Sequence, residues 1–285
     1  MRIGVYTFAT DRDMPPARLA TEVEARGLAE LMFTEHSHIP VARDTPYPEV
    51  YGGGALPDFY QRTYDPFVAC SFAAAATTTL QIGTGICLVA LRDPIHTAKN
   101  VASVDRLSGG RFVFGVGFGW NSDEFASHRV DFGARHAIVE ENVRLMRALW
   151  EDDVAEFHGT YADLAPSWAW PKPAQRPHPP VYLGGNGPRS MRHAARWADA
   201  WYPTSLAGHS SPAVAVAAFR ELVEKAGRDP SDVPVGLAPG AVTEAELASY
   251  RAAGLERVDV AVVAGSDDEL LRRLDDLAKL RDAVA

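Results

Sequence analysis

Cysteine is nearly missing from this 285-residue chain, which holds only Cys70 and Cys87, in no paired motif. That excludes a disulfide framework and a paired-cysteine metal site, and it fits a reducing interior in which both thiols pack as small apolar groups. Positive charge is short as well: 28 Lys and Arg face 37 Asp and Glu, a formal net charge of -9, which argues against nucleic acid or an anionic membrane as the main partner. The deficit still allows a small anionic cofactor, because backbone amides can hold an anion locally. No apolar run approaches the roughly 18 residues that a membrane-spanning helix needs, and the chain passes from Met1-Arg2 straight into "IGVYTF" without a charged leader. The expectation is a soluble, cytoplasmic protein that acts on a small molecule. There is also no serine nucleophile elbow and no Walker phosphate loop.

What is present is rhythm. The composition, 47% hydrophobic and 23% charged, is that of an ordinary globular protein. Short runs rich in branched and aromatic residues recur at 3–8, 31–36, 80–86, 111–117, 180–185, 199–203, 233–238 and 257–263, with helical patterns between them. This alternation is the mark of parallel strands joined by helices. The helices carry their own punctuation. Asp13 before Pro15 and Pro16 reads as an N-cap, and Gly27 as the glycine that closes the same helix. Val139, Val143, Met146 and Trp150 form one apolar stripe. Thr243 with Glu246 and Ser266 with Glu269 read as capping boxes, the second opening a helix whose Leu270, Leu274 and Leu277 face inward. Eight strand-helix units in one domain spanning 1–285 predict a (β/α)8 TIM barrel, with a doubly wound sheet as the alternative. Two segments interrupt the rhythm, 37–64 after the second strand and 151–179 before the fifth. Connections of that length are often lids or binding loops. The aromatics of the first, Tyr47, Tyr51, Phe59, Tyr60 and Tyr64, could equally wall a substrate pocket or anchor a surface contact.

Three glycine-bearing strand ends stand out: "GTGI" (83–86), "GVGFGW" (115–120) and "GGNGPRS" (184–190). The second begins like a dinucleotide fingerprint, but its sixth position is Trp120 rather than glycine, and it follows several strands instead of opening the domain. The third precedes a helix, so amides near Asn186, Gly187 and Ser190 could hold a phosphate there with help from Arg189. The stretch "TEHSHIP" (34–40) puts Glu35, His36 and His38 at the end of the second strand. A metal site built on the two histidines lacks further ligands at the later strand ends, so His36 reads as a ligand contact and His38 as a loop cap. Adjacent Asp123 and Glu124 read as the acidic first turn of a helix, with a catalytic role for either as the alternative.

The stretches "TEHSHIP", "LVALRDPIHTAKNVASVDRLSGGRFVFGVGFGWNSDEF", "ALWEDD" and "WPKPAQRPHPPVYLGGNGPRSMRHAARWADAW", with the closing strand and helix, cover nearly the whole chain. In them it resembles the luciferase-like monooxygenase superfamily, in its branch of oxidoreductases that depend on the deazaflavin coenzyme F420. The resemblance implies a cofactor across the C-terminal mouth of the barrel. Glu35 and His36 would lie beside it, with Gly85 and Ile86 under its ring at a non-prolyl cis peptide. Gly117, Phe118 and Gly119 would form the next wall, and Gly184, Gly185, Asn186 and Gly187 would approach its side-chain phosphate. It further implies hydride transfer between F420 and a small organic substrate, with His36 catalytic, no metal, and a homodimer. The alternatives within the same resemblance are an FMN-dependent monooxygenase served by a separate reductase, and a flavin-binding barrel without catalysis. One departure is Trp120, where the family's sugar-phosphate dehydrogenases carry a glutamate.

Overall fold

The computed structural model describes residues 1–284. Eight parallel strands form one sheet: β1 (Arg2–Thr7), β2 (Glu30–Phe33), β3 (Gln81–Cys87), β4 (Phe112–Val116), β7 (Val181–Gly184), β8 (Ala200–Tyr202), β9 (Gly236–Leu237) and β10 (Arg257–Ala261). Their spatial order is β8-β7-β4-β3-β2-β1-β10-β9, and a parallel bridge between Trp201 and Val235 joins the two edges. The sheet thus closes on itself as a (β/α)8 barrel. Every one of the eight predicted runs supplies one of these strands, because strands covered on both faces read as nearly continuous apolar runs.

Helices α1 (Pro16–Ala25), α2 (Pro66–Ala76), α3 (Pro94–Ser108), α4 (Ser122–Ser127), α5 (Arg135–Glu151), α6 (Pro188–Trp197), α7 (Pro212–Lys225), α8 (Glu244–Ala252) and α9 (Asp267–Ala283) surround the barrel. The stripe of α5 is buried as expected, and so are Leu270, Leu274 and Leu277 of α9. Thr243 and Glu246 make the full reciprocal capping box. Ser266 caps α9, while the Glu269 side chain accepts from Gly265 N instead of closing the second half of its box. Asp13 departs from expectation. Its carboxylate accepts from Thr10 N and Oγ1, and the N-cap of α1 is Pro15, which offers no side-chain cap. Proline in the first turn leaves one fewer N–H to satisfy.

The second interruption is not irregular throughout. Its first part is an antiparallel hairpin of β5 (Ala155–His158) and β6 (Asp163–Ser167), with Phe157 paired to Leu164 across the ladder. Buried Asp105 on α3 anchors the chain beyond it, accepting from Ala174 N, Gln175 N and Gln175 Nε2. Both cysteines are free and buried. No helix among the described residues is long and apolar enough to cross a membrane.

Candidate active site at the barrel mouth

The two ends of the barrel interior differ in chemistry. At the N-terminal end, Arg257 bonds Glu30 at 2.5 Å and lies over the Tyr182 ring at 4.3 Å, while Tyr202 donates to Asp259 at 2.5 Å. All five residues are buried. Asp259 stands against Glu30, and burial followed by that second carboxyl raises the Asp259 acid well above the usual carboxylate range.

At the C-terminal end, the interior is capped by Ile86, whose preceding peptide, Gly85-Ile86, is cis as the resemblance implied. Ile86 explains two of the glycines, Gly117 above all. A Cβ on Gly117 would lie 1.9 Å from Ile86 Cδ1 and one on Gly184 3.3 Å from Ile86 Cγ2, whereas one on Gly115 would meet the Thr84 carbonyl oxygen at 2.0 Å. At Gly117, then, this side chain fills the space that a Cβ would need. Gly119 answers a different demand, with φ +71 and Phe125 where its side chain would go.

His36 follows β2 and belongs to the mouth. Its Nδ1 lies 2.8 Å from Glu124 Oε2 on α4, and the two side chains are only 6% and 1% exposed. The other oxygen, Glu124 Oε1, accepts from Ser37 N at 3.2 Å. A carboxylate held this way accepts the Nδ1 proton and leaves Nε2 as the lone-pair nitrogen. The reading of Glu124 as a helix-opening acid missed this, since the partner lies 88 positions away in the chain. Asp123 is an anchor, accepting from Thr45 N and Oγ1 and so fastening the first interruption to α4.

That interruption folds inward. Tyr47 and Tyr60 are buried, with hydroxyls 3.2 Å apart, and the His36 ring lies 5.1 Å from Tyr60 and 6.0 Å from Trp120. Tyr60 also meets Trp120 edge-on at 6.2 Å, so Trp120 closes an aromatic wall around the histidine. Thr63 ties the segment back by accepting from His36 N and donating to His36 O. On β1, Tyr6 points into the same end, and burial, then Tyr51 and Tyr47, push its hydroxyl up to about 12. Of the aromatics in this segment, Tyr47 and Tyr60 therefore wall the mouth, Phe59 packs on Phe8 and Tyr60, and Tyr51 and Tyr64 are exposed.

The remaining expected residues divide. Glu35 is engaged elsewhere, because its carboxylate accepts from Leu88 N at 2.7 Å and pairs with Arg92, which also holds Asp65. This fixes the chain after β3 rather than offering a free group to a ligand. Phe118 turns outward to stack on His136 at 4.2 Å and His193 at 5.4 Å. Asn186 spends its side chain on Thr204 and Ser205 N, while Gly185 takes φ +112 and its carbonyl accepts from Trp201 Nε1. Gly187 is the N-cap of α6, and nothing lies within 4 Å of the position its Cβ would occupy. His38 contacts Ser37 Oγ, which also meets His128 Nε2.

A family profile described as luciferase-like monooxygenase matches residues 14–253. The chain belongs to this family. Among relatives, the Mycobacterium tuberculosis protein Rv0953c is 42% identical over 206 residues, covering 72% of each chain. The F420-dependent hydroxymycolic acid dehydrogenase of Mycobacterium tuberculosis is 29% identical over 70% of this chain and 55% of its own. The FMNH2-dependent dimethylsulfone monooxygenase of Pseudomonas putida is 29% identical over 69% of this chain and 54% of its own. Among solved structures, an F420-dependent secondary alcohol dehydrogenase superposes with a TM-score of 0.77 at 19% identity, over 100% of this chain and 99% of that one. The luciferase-like members thus include both F420- and FMN-dependent proteins on this barrel.

Proposed function

We propose that the protein transfers a hydride between coenzyme F420 and a small organic substrate bearing a hydroxyl or carbonyl group, with His36 as the proton partner. The observation that carries this reading is the buried His36–Glu124 pair inside the aromatic wall. The residues present fit a flavin-type cofactor. Gly187 leaves open space at an uncapped helix start suited to a side-chain phosphate, and Ile86 stands at the mouth beneath where a flat ring would lie. When bound, F420 supplies a ring carbon that takes up or gives back a hydride. The chain supplies the rest. With Nδ1 committed to Glu124, Nε2 accepts the hydroxyl proton as an alcohol becomes a carbonyl, and returns it in the reverse direction. Tyr47, Tyr60 and Trp120 keep water from the exchange and orient an apolar substrate. Trp120 stands where the family's sugar-phosphate dehydrogenases carry a glutamate, so that position offers no acid for proton transfer. In this reading Glu124, four positions later, supports that role through His36.

The test is anaerobic turnover of F420 with a panel of small alcohols and ketones, followed by the cofactor's absorbance. Exchange without oxygen supports the reading. Turnover that appears only with reduced FMN and consumes oxygen overturns it in favour of a monooxygenase.

A further inference from the structure

Four tyrosines, Tyr6, Tyr47, Tyr51 and Tyr60, come together at the mouth, and three of them spend their hydroxyls within the chain. Tyr47 donates to Tyr51 O at 2.9 Å, Tyr60 meets the Tyr47 hydroxyl at 3.2 Å, and the Tyr51 hydroxyl reaches the Thr204 side chain. The hydroxyl of Tyr6 forms no hydrogen bond among the described residues, and the hydride-transfer reading gives it no task.

The place of Tyr6 follows from strand alternation. On β1, Ile3 and Val5 belong to the main core between barrel and helices, so Gly4 and Tyr6 face the interior. Gly4 lies in the floor, where a Cβ would stand 2.3 Å from Asp259 Oδ1, and Tyr6 is two residues nearer the mouth. It is in register with Met32 of β2, and a Cβ on Gly85 would lie 2.7 Å from Met32 Cβ. Tyr6 and Ile86 both pack on the interior cluster that contains Met32, Tyr182 and Tyr202. Phe8, the next inward residue, lies 4.7 Å from Tyr60, and Tyr60 in turn lies 5.1 Å from His36. Met32, Tyr182 and Tyr202 are buried, whereas Tyr6, Ile86 and Trp120 are only half-buried, so the interior is open down to this level. Burial, then Tyr51 and Tyr47, push the Tyr6 hydroxyl up to about 12, and at neutral pH it keeps its proton and donates.

The mouth therefore presents one oriented acceptor, His36 Nε2, and one unspent donor. An oxygen that alternates between hydroxyl and carbonyl uses both, because it carries a proton in one state and only lone pairs in the other. We infer that the Tyr6 hydroxyl holds the substrate oxygen whose proton His36 exchanges. The inference rests on the proposed function for the presence of that oxygen. In oxidation the C–H bond breaks as hydride leaves the substrate carbon, the O–H proton passes to His36 Nε2, and Tyr6 donates to the oxygen throughout without losing its own proton. In reduction the same hydrogen bond stabilises the negative charge that builds on the carbonyl oxygen until His36 returns the proton. The rings of Phe8, Tyr47, Tyr60 and Trp120 suit a ketone or secondary alcohol whose carbon flank is itself a ring.

The experiment is isotope-edited infrared difference spectroscopy of the full chain with carbonyl-labelled cyclohexanone and acetophenone, without cofactor and with F420, on wild type and Tyr6→Phe. A hydrogen bond to the carbonyl oxygen lowers its stretching frequency. Wild type is expected to bind at least one of the two ketones with a lowered stretch, and Tyr6→Phe to bind it with the stretch restored toward its value in an apolar solvent. Anaerobic reduction of that ketone should fall by about 100-fold in kcat in the variant, with KM little changed. The melting temperature should stay at the wild-type value, because the hydroxyl bonds nothing in the fold. Failure of both ketones to bind, a stretch lowered equally in both proteins, or a variant that melts well below wild type overturns the inference. The outcomes also separate it from the hydride-transfer reading. A Tyr6-dependent stretch in a protein that does not use F420 upholds this contact and removes that function, whereas F420-linked turnover unchanged in Tyr6→Phe does the reverse.

Discussion

The floor and the mouth of the barrel both bury charged groups, but they settle them differently. On the floor, Arg257 pairs with Glu30 and Tyr202 with Asp259, and burial beside Glu30 keeps the Asp259 acid protonated, so that a proton is at hand for the two inward carboxyl oxygens left over, Glu30 Oε1 and Asp259 Oδ1. Nothing there needs a visitor. Around the mouth, His36 is oriented through Nδ1 by a buried carboxylate while its Nε2 makes no hydrogen bond among the described residues, and both side-chain polar atoms of buried Asn121 after β4 are unpartnered among them as well. The difference teaches where to look for chemistry: polar groups that complete one another hold the fold, whereas polar groups oriented and left incomplete await a ligand.

The comparison can be broken from either end. The largest effect is expected at the mouth, where His36→Ala should lower kcat by about 10²- to 10⁴-fold, as loss of a general acid–base does, and should also lower the melting temperature, because buried Glu124 loses its Nδ1 partner. Turnover unchanged across pH would remove His36 from the mechanism. Next is the floor: Arg257→Ala leaves Glu30 as a buried unpaired charge and should cost about 3–5 kcal/mol in denaturant unfolding. A loss well under that would mean that the floor is wetter than its burial indicates. Glu124→Gln should follow, because a glutamine amide donates to Nδ1 and moves the imidazole proton to Nε2. The expected loss in kcat is about 10²-fold with KM little changed, and the pH profile of kcat should move as well. A purely structural role would lower stability and leave the profile in place.

The smallest effect is expected from Asp259→Asn. The folded acid keeps its proton while the unfolded chain releases it, so the wild-type contribution is whole below the ordinary aspartate range and is lost as pH rises toward the elevated folded value. The asparagine variant should therefore match or exceed wild type at neutral pH, within about 1 kcal/mol, and flatten the alkaline decline in stability. A steeper decline in the variant would contradict the shared proton.

Much of the fold was legible because buried parallel strands announce themselves locally. The run around Val113 or Leu183 needs no knowledge of the rest of the chain to be read as a strand. The hairpin of β5 and β6 went unread although Ala155 and Phe157 alternate with Glu156 and His158 before Gly159, since prolines and tryptophans further along gave the whole segment an irregular look. The site was legible in part. His36 could be picked out by its place at a strand end, but Glu124 could not, because only folding brings α4 against the end of β2. Glu35 shows the converse, since its position suggested a ligand while its partners, Leu88 N and Arg92, make it an anchor. The glycines at 117 and 184 also carried two meanings at once, room for a ligand and room for Ile86, while Gly115 makes way for the Thr84 carbonyl, and only the packing tells these apart.

The central claim is that the mouth is incomplete without a deazaflavin and that His36 serves the chemistry rather than the binding. Parallel fluorescence titrations of wild type and His36→Ala with oxidised F420 and with FMN test it most directly. The account expects F420 to bind both proteins selectively, at micromolar concentration or tighter, with hydride exchange retained only by wild type. Tighter binding of FMN, or binding of neither cofactor, would contradict it.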